Sequence, residues 1–460
     1  MKLISLTKTR LANGLPVYLG LTPESASFEI TMHIDTGSRD EAPERNGESH
    51  FLEHMMFRGS RSYPDSIKLA HALEAFGGEN NAMTSVESTV YWLRGAARAY
   101  DRATDAFAEF FLHPNFADLE TERSIILQEL QGDYNEDGDL VDPESLAMEG
   151  LFGDHPLGMP IIGREEVIKR LGEADLRAKR ARFYTPSHCA LSVVSSLPPE
   201  KLIPVVERAF GHTWDHAPSA SPPATNAGAS LADRHALAEA RRFIASPRDF
   251  FAPPPGRARR HVLKLTNNSD SQYAVKLIFP GAGGLTREVV AETFLQRILD
   301  DGISSRLPAE IRERQGLVYD ISCDSTAFAD VGAFSVDATV SKDSIDKLLA
   351  RLFEELDRIV QDKPTPEEMD RIRFRYQFDL ETLAESHGRL VSREVWNGFL
   401  PRSLTIDEER AIVETLTAEE ILDTAQRVIG APKRALVLIG PRARKKRDDV
   451  EKFMERLASG

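Results

Sequence analysis

The segment GESHFLEHMMFRGS contains the pattern H-x-x-E-H as His50, Glu53 and His54. On a helix, residues four apart stand one turn above each other, so both imidazoles share a face and could chelate one ion. Phe51, Leu52, Met55, Met56 and Phe57 make this helix apolar on most sides and predict its burial. An unpartnered polar group in such surroundings costs roughly 2–7 kcal/mol, a cost that a bound cation removes. The alternative, two histidines satisfied by hydrogen bonds in a core, leaves Glu53 needing a partner of its own. A hydrolytic zinc site takes three protein ligands and keeps a fourth position open for water. A third ligand is offered by ADLETERSIILQELQGDYNE, where Leu119, Glu122, Ile126 and Glu129 recur at helical spacing and put both carboxylates on an apolar stripe. Glu129 could complete a His-His-Glu set, and Glu122, two turns earlier, could orient one of the ligands by a hydrogen bond. On pattern alone, a surface helix with incidental glutamates remains an equal alternative.

The elements that must carry these residues read as α+β. β-Forming residues at 15–20 and 27–35, with Asn13-Gly14 as a hairpin turn after 7–12, open the chain as a sheet. Helical patterns follow at 48–57, 65–76, 98–112, 118–136 and 199–210, with strands at 79–85, 88–95 and 189–195. From Gly211 to about Arg260 the composition shifts to Ala, Pro and Ser, which marks a linker with one short helix near 231–242. Order then returns with strands at 261–267, 272–280, 317–326 and 331–340. Helices are expected at 287–300, 305–314, 343–361 and 365–387, and two helices and the strand RALVLIG close the chain over 407–440. The halves match in element order, with ALEAFGGENNAMTS in the slot of AEIRERQGLVYDIS, so the chain reads as a duplicated domain. Only the first copy has the histidine pair, because VVAETFLQRIL stands at the second copy's equivalent helix. The expected division is a zinc-binding domain over 1–215, a linker over 216–258 and a second homologous domain over 259–460.

Bulk properties narrow the classes of function. At 460 residues the chain suits two domains, and 41% apolar with 28% charged residues excludes collagen-like, disordered and disulfide-scaffold classes. A net charge of −15 argues against nucleic acid and mildly favours cationic ligands. Two cysteines far apart, Cys189 and Cys323, fit unpaired thiols in a reducing, cytoplasmic compartment. MKLISLTKTRLANGLPVYL has no apolar core of signal-peptide length, and no apolar run reaches the roughly 20 residues of a membrane span, so neither export nor a membrane partner is expected. Two further motifs are set aside. HTWDH at His212–His216 has metal-like spacing but lies at the linker entrance, and PGAGG at 280–284 lacks the Lys-Ser/Thr of a phosphate loop.

H-x-x-E-H followed downstream by the E-x6-E pair Glu122 and Glu129 resembles the inverted-zincin metallopeptidases of the pitrilysin, insulysin and mitochondrial processing peptidase family, over nearly the whole chain. The resemblance implies two homologous α/β-sandwich domains, each a mainly antiparallel sheet covered by helices, together forming half of a clamshell. It implies one Zn²⁺ per chain on His50, His54 and Glu129, with Glu53 activating water and Glu122 supporting a ligand. GGENNAMTS resembles the family's substrate-binding edge strand, with Asn81 and Ala82 holding extended peptide by backbone pairing and Phe57 as an apolar contact. RERQGLVY matches the family's R-x6-Y element as Arg312 and Tyr319, which would bind substrate backbone and stabilise the oxyanion. The implied activity is zinc endopeptidase cleavage of peptides or small unfolded polypeptides inside a dimeric chamber, made by a homodimer or with a paralogous subunit. The alternative is a non-catalytic or dedicated processing subunit of a peptidase complex.

Overall fold

Asn13 and Gly14 turn the chain between β1 (Leu6–Arg10) and β2 (Pro16–Leu21), which pair antiparallel from Leu6↔Gly20 to Arg10↔Pro16. Gly14 takes φ +89°, a region that glycine enters without steric cost. A computed structural model describes residues 5–214, 243, 244, 246–252, 260–383, 385–400 and 403–456. The helix expected near 231–242 and His216 of the HTWDH motif lie outside these residues.

Contacts divide the chain into two units. The first comprises the described residues within Met1–Gln131, Met159–Arg242 and Glu381–Phe399. Its six-stranded sheet has the order β1-β2-β6-β3-β5-β4, with β3 Ser27–Ile34, β4 Asn80–Thr84, β5 Thr89–Ala96 and β6 Cys189–Ser195. β2 and β6 run parallel and the other pairs antiparallel. Strand alternation sends Phe28, Ile30, Met32 and Ile34 into one core with α1 (Glu48–Met56), α2 (Ser66–Glu74), α3 (Tyr100–Leu112) and α4 (Leu119–Gln131).

The second unit comprises the described residues within Gly132–Gly158, Phe243–Leu380 and Leu400–Gly460. Its sheet has the order β7-β11-β8-β10-β9, with β7 Arg260–Asn267, β8 Gln272–Ala282, β9 Val318–Ala327, β10 Val331–Ser341 and β11 Lys433–Gly440. β7 and β11 are parallel and the rest antiparallel, so the second sheet repeats β2-β6-β3-β5-β4 strand for strand. The fold is α+β and duplicated, with a mixed sheet in each unit.

The single cut expected at 216–258 needs correction for two helices. Helix α5 (Pro143–Phe152), from the first half of the sequence, packs on β8 and β11 of the second unit. Gly150 permits this, because a Cβ there would stand 2.7 Å from that of Ala435. Reciprocally, α13 (His387–Phe399), from the second half, packs on β2 and β6 of the first unit through Val395 and Phe399. Between these two lie α6 (Glu165–Ile168), α7 (Glu173–Phe183), α8 (Pro199–Phe210), α9 (Pro247–Phe250), α10 (Arg287–Leu299), α11 (Ile345–Gln361) and α12 (Pro366–Leu383). The helix expected over 365–387 is α12, which ends at Leu383, while α13 beyond it was not expected, and the helix expected over 118–136 stops at Gln131 before Gly132. The segment expected as a helix at 305–314 forms a π-helical turn over Pro308–Arg314.

The start of α1 is fixed by its surroundings. The buried Glu41 carboxylate accepts backbone N–H bonds from Gly47 and Ser49, each 2.7 Å, and one from Asn46 Nδ2 at 3.1 Å. These meet donors that the first turn of a helix leaves without internal partners. Gly47 itself has φ +93°, and a Cβ there would fall 2.7 Å from Gly163 Cα and 2.8 Å from the Ile162 carbonyl oxygen. Replacing Gly47 with Ala should therefore cost roughly 1–3 kcal/mol. Thermal unfolding should show a midpoint lower by several degrees, and an unchanged midpoint would remove Gly47 from this role.

Candidate metal centre

Because α1 is apolar on most sides, it is sunk into the core with Phe51, Leu52, Met55 and Met56 fully buried. Its one polar stripe carries His50, Glu53 and His54, and the two imidazoles meet edge to face with centroids 4.5 Å apart. Helix α4 lies against α1 and brings Glu129 to both rings. His50 Nε2 is 3.8 Å from one carboxylate oxygen, and His54 Nε2 is 3.7 Å from the other. These separations are too long for hydrogen bonds. Ligand atoms of His50, His54 and Glu129 nevertheless all lie within 4.8 Å of one another. Donors around a tetrahedral zinc with bonds of roughly 2.1 Å stand about 3.4 Å apart, so the set can take that ion once the side chains close by up to about an ångström or somewhat more.

The remaining groups orient this set. His54 Nδ1 donates to Glu122 Oε1 at 2.8 Å, which leaves the Nε2 lone pair facing Glu129. Glu122 is buried, and its other oxygen pairs with Arg58 Nη1 at 3.2 Å. Thr84 donates its hydroxyl to the Glu53 carboxylate. Burial pushes the His50 pKa down to about 4, helped by the neighbouring His54. Burial also opposes charge on His54, but the hydrogen bond to Glu122 and the charges of Glu122, Glu129 and Glu53 outweigh it, so its pKa is raised. The Glu53 pKa is raised by burial and by Glu129, against the opposing effects of Thr84 and His54.

The other expected residues fall in separate places. Asn81 and Ala82 lie on β4, the last strand of its sheet, with Asn81 exposed and Ala82 packed against the core. Phe57 packs on Phe110 at 4.9 Å between ring centroids and caps the end of α1. Arg312 and Tyr319 belong to the second unit, where the guanidinium stands 5.6 Å above the tyrosine ring and Tyr319 is 85% exposed. Three contributors were not foreseen. Thr84 was legible from strand alternation, since it follows Ala82 by two and shares its face. Arg58 stood next to the motif as a charge ending an apolar run. Glu41, in a loop seven residues ahead of α1, gave no sequence signal.

No second such donor set occurs among the described residues. In α10, Phe294-Leu295 and Ile298-Leu299 occupy the places of Phe51-Leu52 and Met55-Met56, and Gly302 (φ +96°) that of Gly59 (φ +127°). This register sets Thr293, Gln296 and Arg297 where the first unit has His50, Glu53 and His54. Arg297 pairs with Asp379 of α12 at 2.7 Å, an internal ion pair in place of imidazole, metal and carboxylate.

These features define a class: a duplicated α+β chain with one candidate His-His-Glu centre in its first unit. Residues 17–164 match the family model Insulinase (Peptidase family M16), and residues 170–376 match the Peptidase M16 inactive domain. A Mycobacterium leprae protein named an uncharacterized zinc protease is 30% identical over 336 residues, covering 72% of this chain and 68% of its own. A Streptomyces coelicolor protein similarly named is 29% identical over 94% of this chain and 89% of its own length. The Bacillus subtilis protein named uncharacterized zinc protease YmxG is 27% identical over 93% of this chain and 97% of its own length. The chain belongs to peptidase family M16. The fold is shared with a protease from Helicobacter pylori (TM-score 0.79, 18% identity, 95% of this chain and 100% of that one). It is also shared with a chain of complex III2 from Candida albicans (TM-score 0.71, 14% identity, 97% and 99%).

Since a metal must displace the proton that the raised pKa keeps on His54, affinity should fall as pH drops through that pKa. His50, already neutral down to about pH 4, should contribute nothing there. With one proton displaced per ion, the loss should approach about tenfold per pH unit. Zinc competition against a chelating dye between pH 8 and 5.5 measures this, and a flat profile would contradict the role of His54.

Proposed function

We propose that the protein is a zinc endopeptidase acting on peptides or small unfolded polypeptides. The observation that carries this reading is the convergence of His50, His54 and Glu129, with Glu53 beside them on the same helix. Zinc bound there supplies Lewis acidity towards a carbonyl and towards water. Glu53 takes the proton of the attacking water and passes it to the leaving amine, a task suited by a carboxyl whose pKa burial has raised. Glu122 holds His54 in the tautomer that leaves Nε2 unprotonated. Asn81 and Ala82 hold extended substrate along the free edge of β4, and Phe57 walls the site.

Arg312 and Tyr319 bind substrate backbone and offset charge on the tetrahedral oxygen, supplied by the second unit of a partner copy in a dimeric chamber. A cytoplasmic site of action accords with the free, buried thiols of Cys189 and Cys323. No helix among the described residues is long and apolar enough to cross a membrane. The match of residues 170–376 to the Peptidase M16 inactive domain favours a second reading, a non-catalytic or dedicated processing subunit. The complete donor set speaks for catalysis, and digestion of a mixed peptide library separates a general from a dedicated peptidase.

Glu53→Gln should keep zinc near one per chain and abolish cleavage; a variant that still cuts would remove Glu53 from its role. Glu53→Gln and Tyr319→Phe chains should each be inactive alone. Mixed and re-equilibrated, they should regain about a quarter of the wild-type rate, since half the dimers then carry one intact site of two. No recovery in a preparation that sediments as a dimer would mean that Tyr319 does not act across the interface.

A further inference from the structure

The Glu53 carboxylate is held from the sheet. Thr84 donates its side-chain hydroxyl to it. Thr84 is the last residue of β4, which among the described residues pairs with no strand but β5 and stands at the sheet's edge. Along this strand Asn80, Ala82 and Thr84 face inward, while Asn81 and Met83 are exposed. The residue that grips the base therefore belongs to the strand whose open edge can accept an extended chain.

The second unit also ties its corresponding helix to its edge strand, with reversed polarity. Gln296, in the register position of Glu53, donates its amide to the Cys323 carbonyl of β9 at 2.8 Å. β9 is the edge strand corresponding to β4. Helix-to-edge-strand attachment at this position is thus a property of the duplicated fold. The first unit differs in presenting a donor, which a carboxylate requires, where the second presents an acceptor to an amide. A glutamate has three rotatable side-chain bonds, and a base displaced by about 1 Å can cost around a hundredfold in rate.

We propose that Thr84 is the positioning residue for Glu53 and couples it to the edge strand, so that a peptide paired along β4 steadies the base that acts on it. This rests on the peptidase reading. It implies that longer peptides, pairing with more of β4, gain in kcat as well as in binding, and that the kcat part of that gain passes through Thr84.

The experiment compares Thr84→Val, which keeps the shape and loses the hydroxyl, with Thr84→Ser, which keeps the hydroxyl, in zinc-loaded full-length protein assayed with a graded series of peptide lengths. Thr84→Val should lower kcat about 10- to 100-fold with KM within about twofold, and should lose the rise of kcat with length. Thr84→Ser should retain most of both, and zinc content and unfolding midpoint should match wild type in the two variants. Thr84→Ala serves as a second hydroxyl-free variant should the valine protein fail to fold. The proposal is overturned if the hydroxyl-free variant keeps wild-type kcat, if Thr84→Ser loses as much as it does, or if the loss tracks lost zinc. Inert Glu53→Gln alongside fully active Thr84→Val would reject Thr84 alone. A zinc-loaded wild-type protein that cleaves none of these peptides would reject the peptidase reading beneath it.

Discussion

Two largely buried imidazoles one helical turn apart meet edge to face beside a half-exposed carboxylate from a neighbouring helix, and none of the three satisfies another by a hydrogen bond of normal length. A cation relieves that arrangement, and much of the first unit serves to keep it in place. Glu41 and Gly47 set where α1 begins, the apolar residues of α1 lock its rotation, and the chain Arg58–Glu122–His54 fixes one ring from behind. Polar groups in such a network support one another only when every member has a partner.

Duplication shows what this constraint demands by showing a copy released from it. The second sheet repeats the strand order of the first, and α10 repeats the apolar register of α1. Where the first unit has His54 and Glu129, the second has Arg297 and Asp379 in direct contact. The guanidinium is a cation that the chain carries itself, so this unit neutralises its own carboxylate. The exchange of α5 and α13 between the halves gives each sheet a helix from the other half of the sequence. Neither half of the sequence, taken alone, covers both faces of its own sheet.

Much of this was legible in the sequence because the signals were local. H-x-x-E-H on an apolar helix, E-x6-E on an apolar stripe and Asn13-Gly14 between two strand patterns each declare themselves within a few residues. The illegible parts depend on long-range partners. Helix α7 has few apolar residues, yet it buries Lys179 and Arg180 to their charged ends, with Lys179 facing Glu48 and Arg180 donating to the Phe111 and Leu112 carbonyls, which no apolar periodicity announces. Nothing in α13 says that its face will meet β2 and β6 rather than the sheet of its own half. Glu41 reaches α1 only through the fold of an intervening loop. Thr84 was within reach, since counting by two from Ala82 leads to it.

The central claim is that a divalent ion is bound by two histidine nitrogens and one glutamate, and anomalous diffraction at the zinc absorption edge on crystals of the zinc-loaded protein tests it most directly. The account predicts one strong peak per chain between His50, His54 and Glu129, with bonds of roughly 2.0–2.2 Å and a remaining position facing solvent. A peak elsewhere, or a zinc-saturated crystal with Glu129 turned away from both rings, would contradict it.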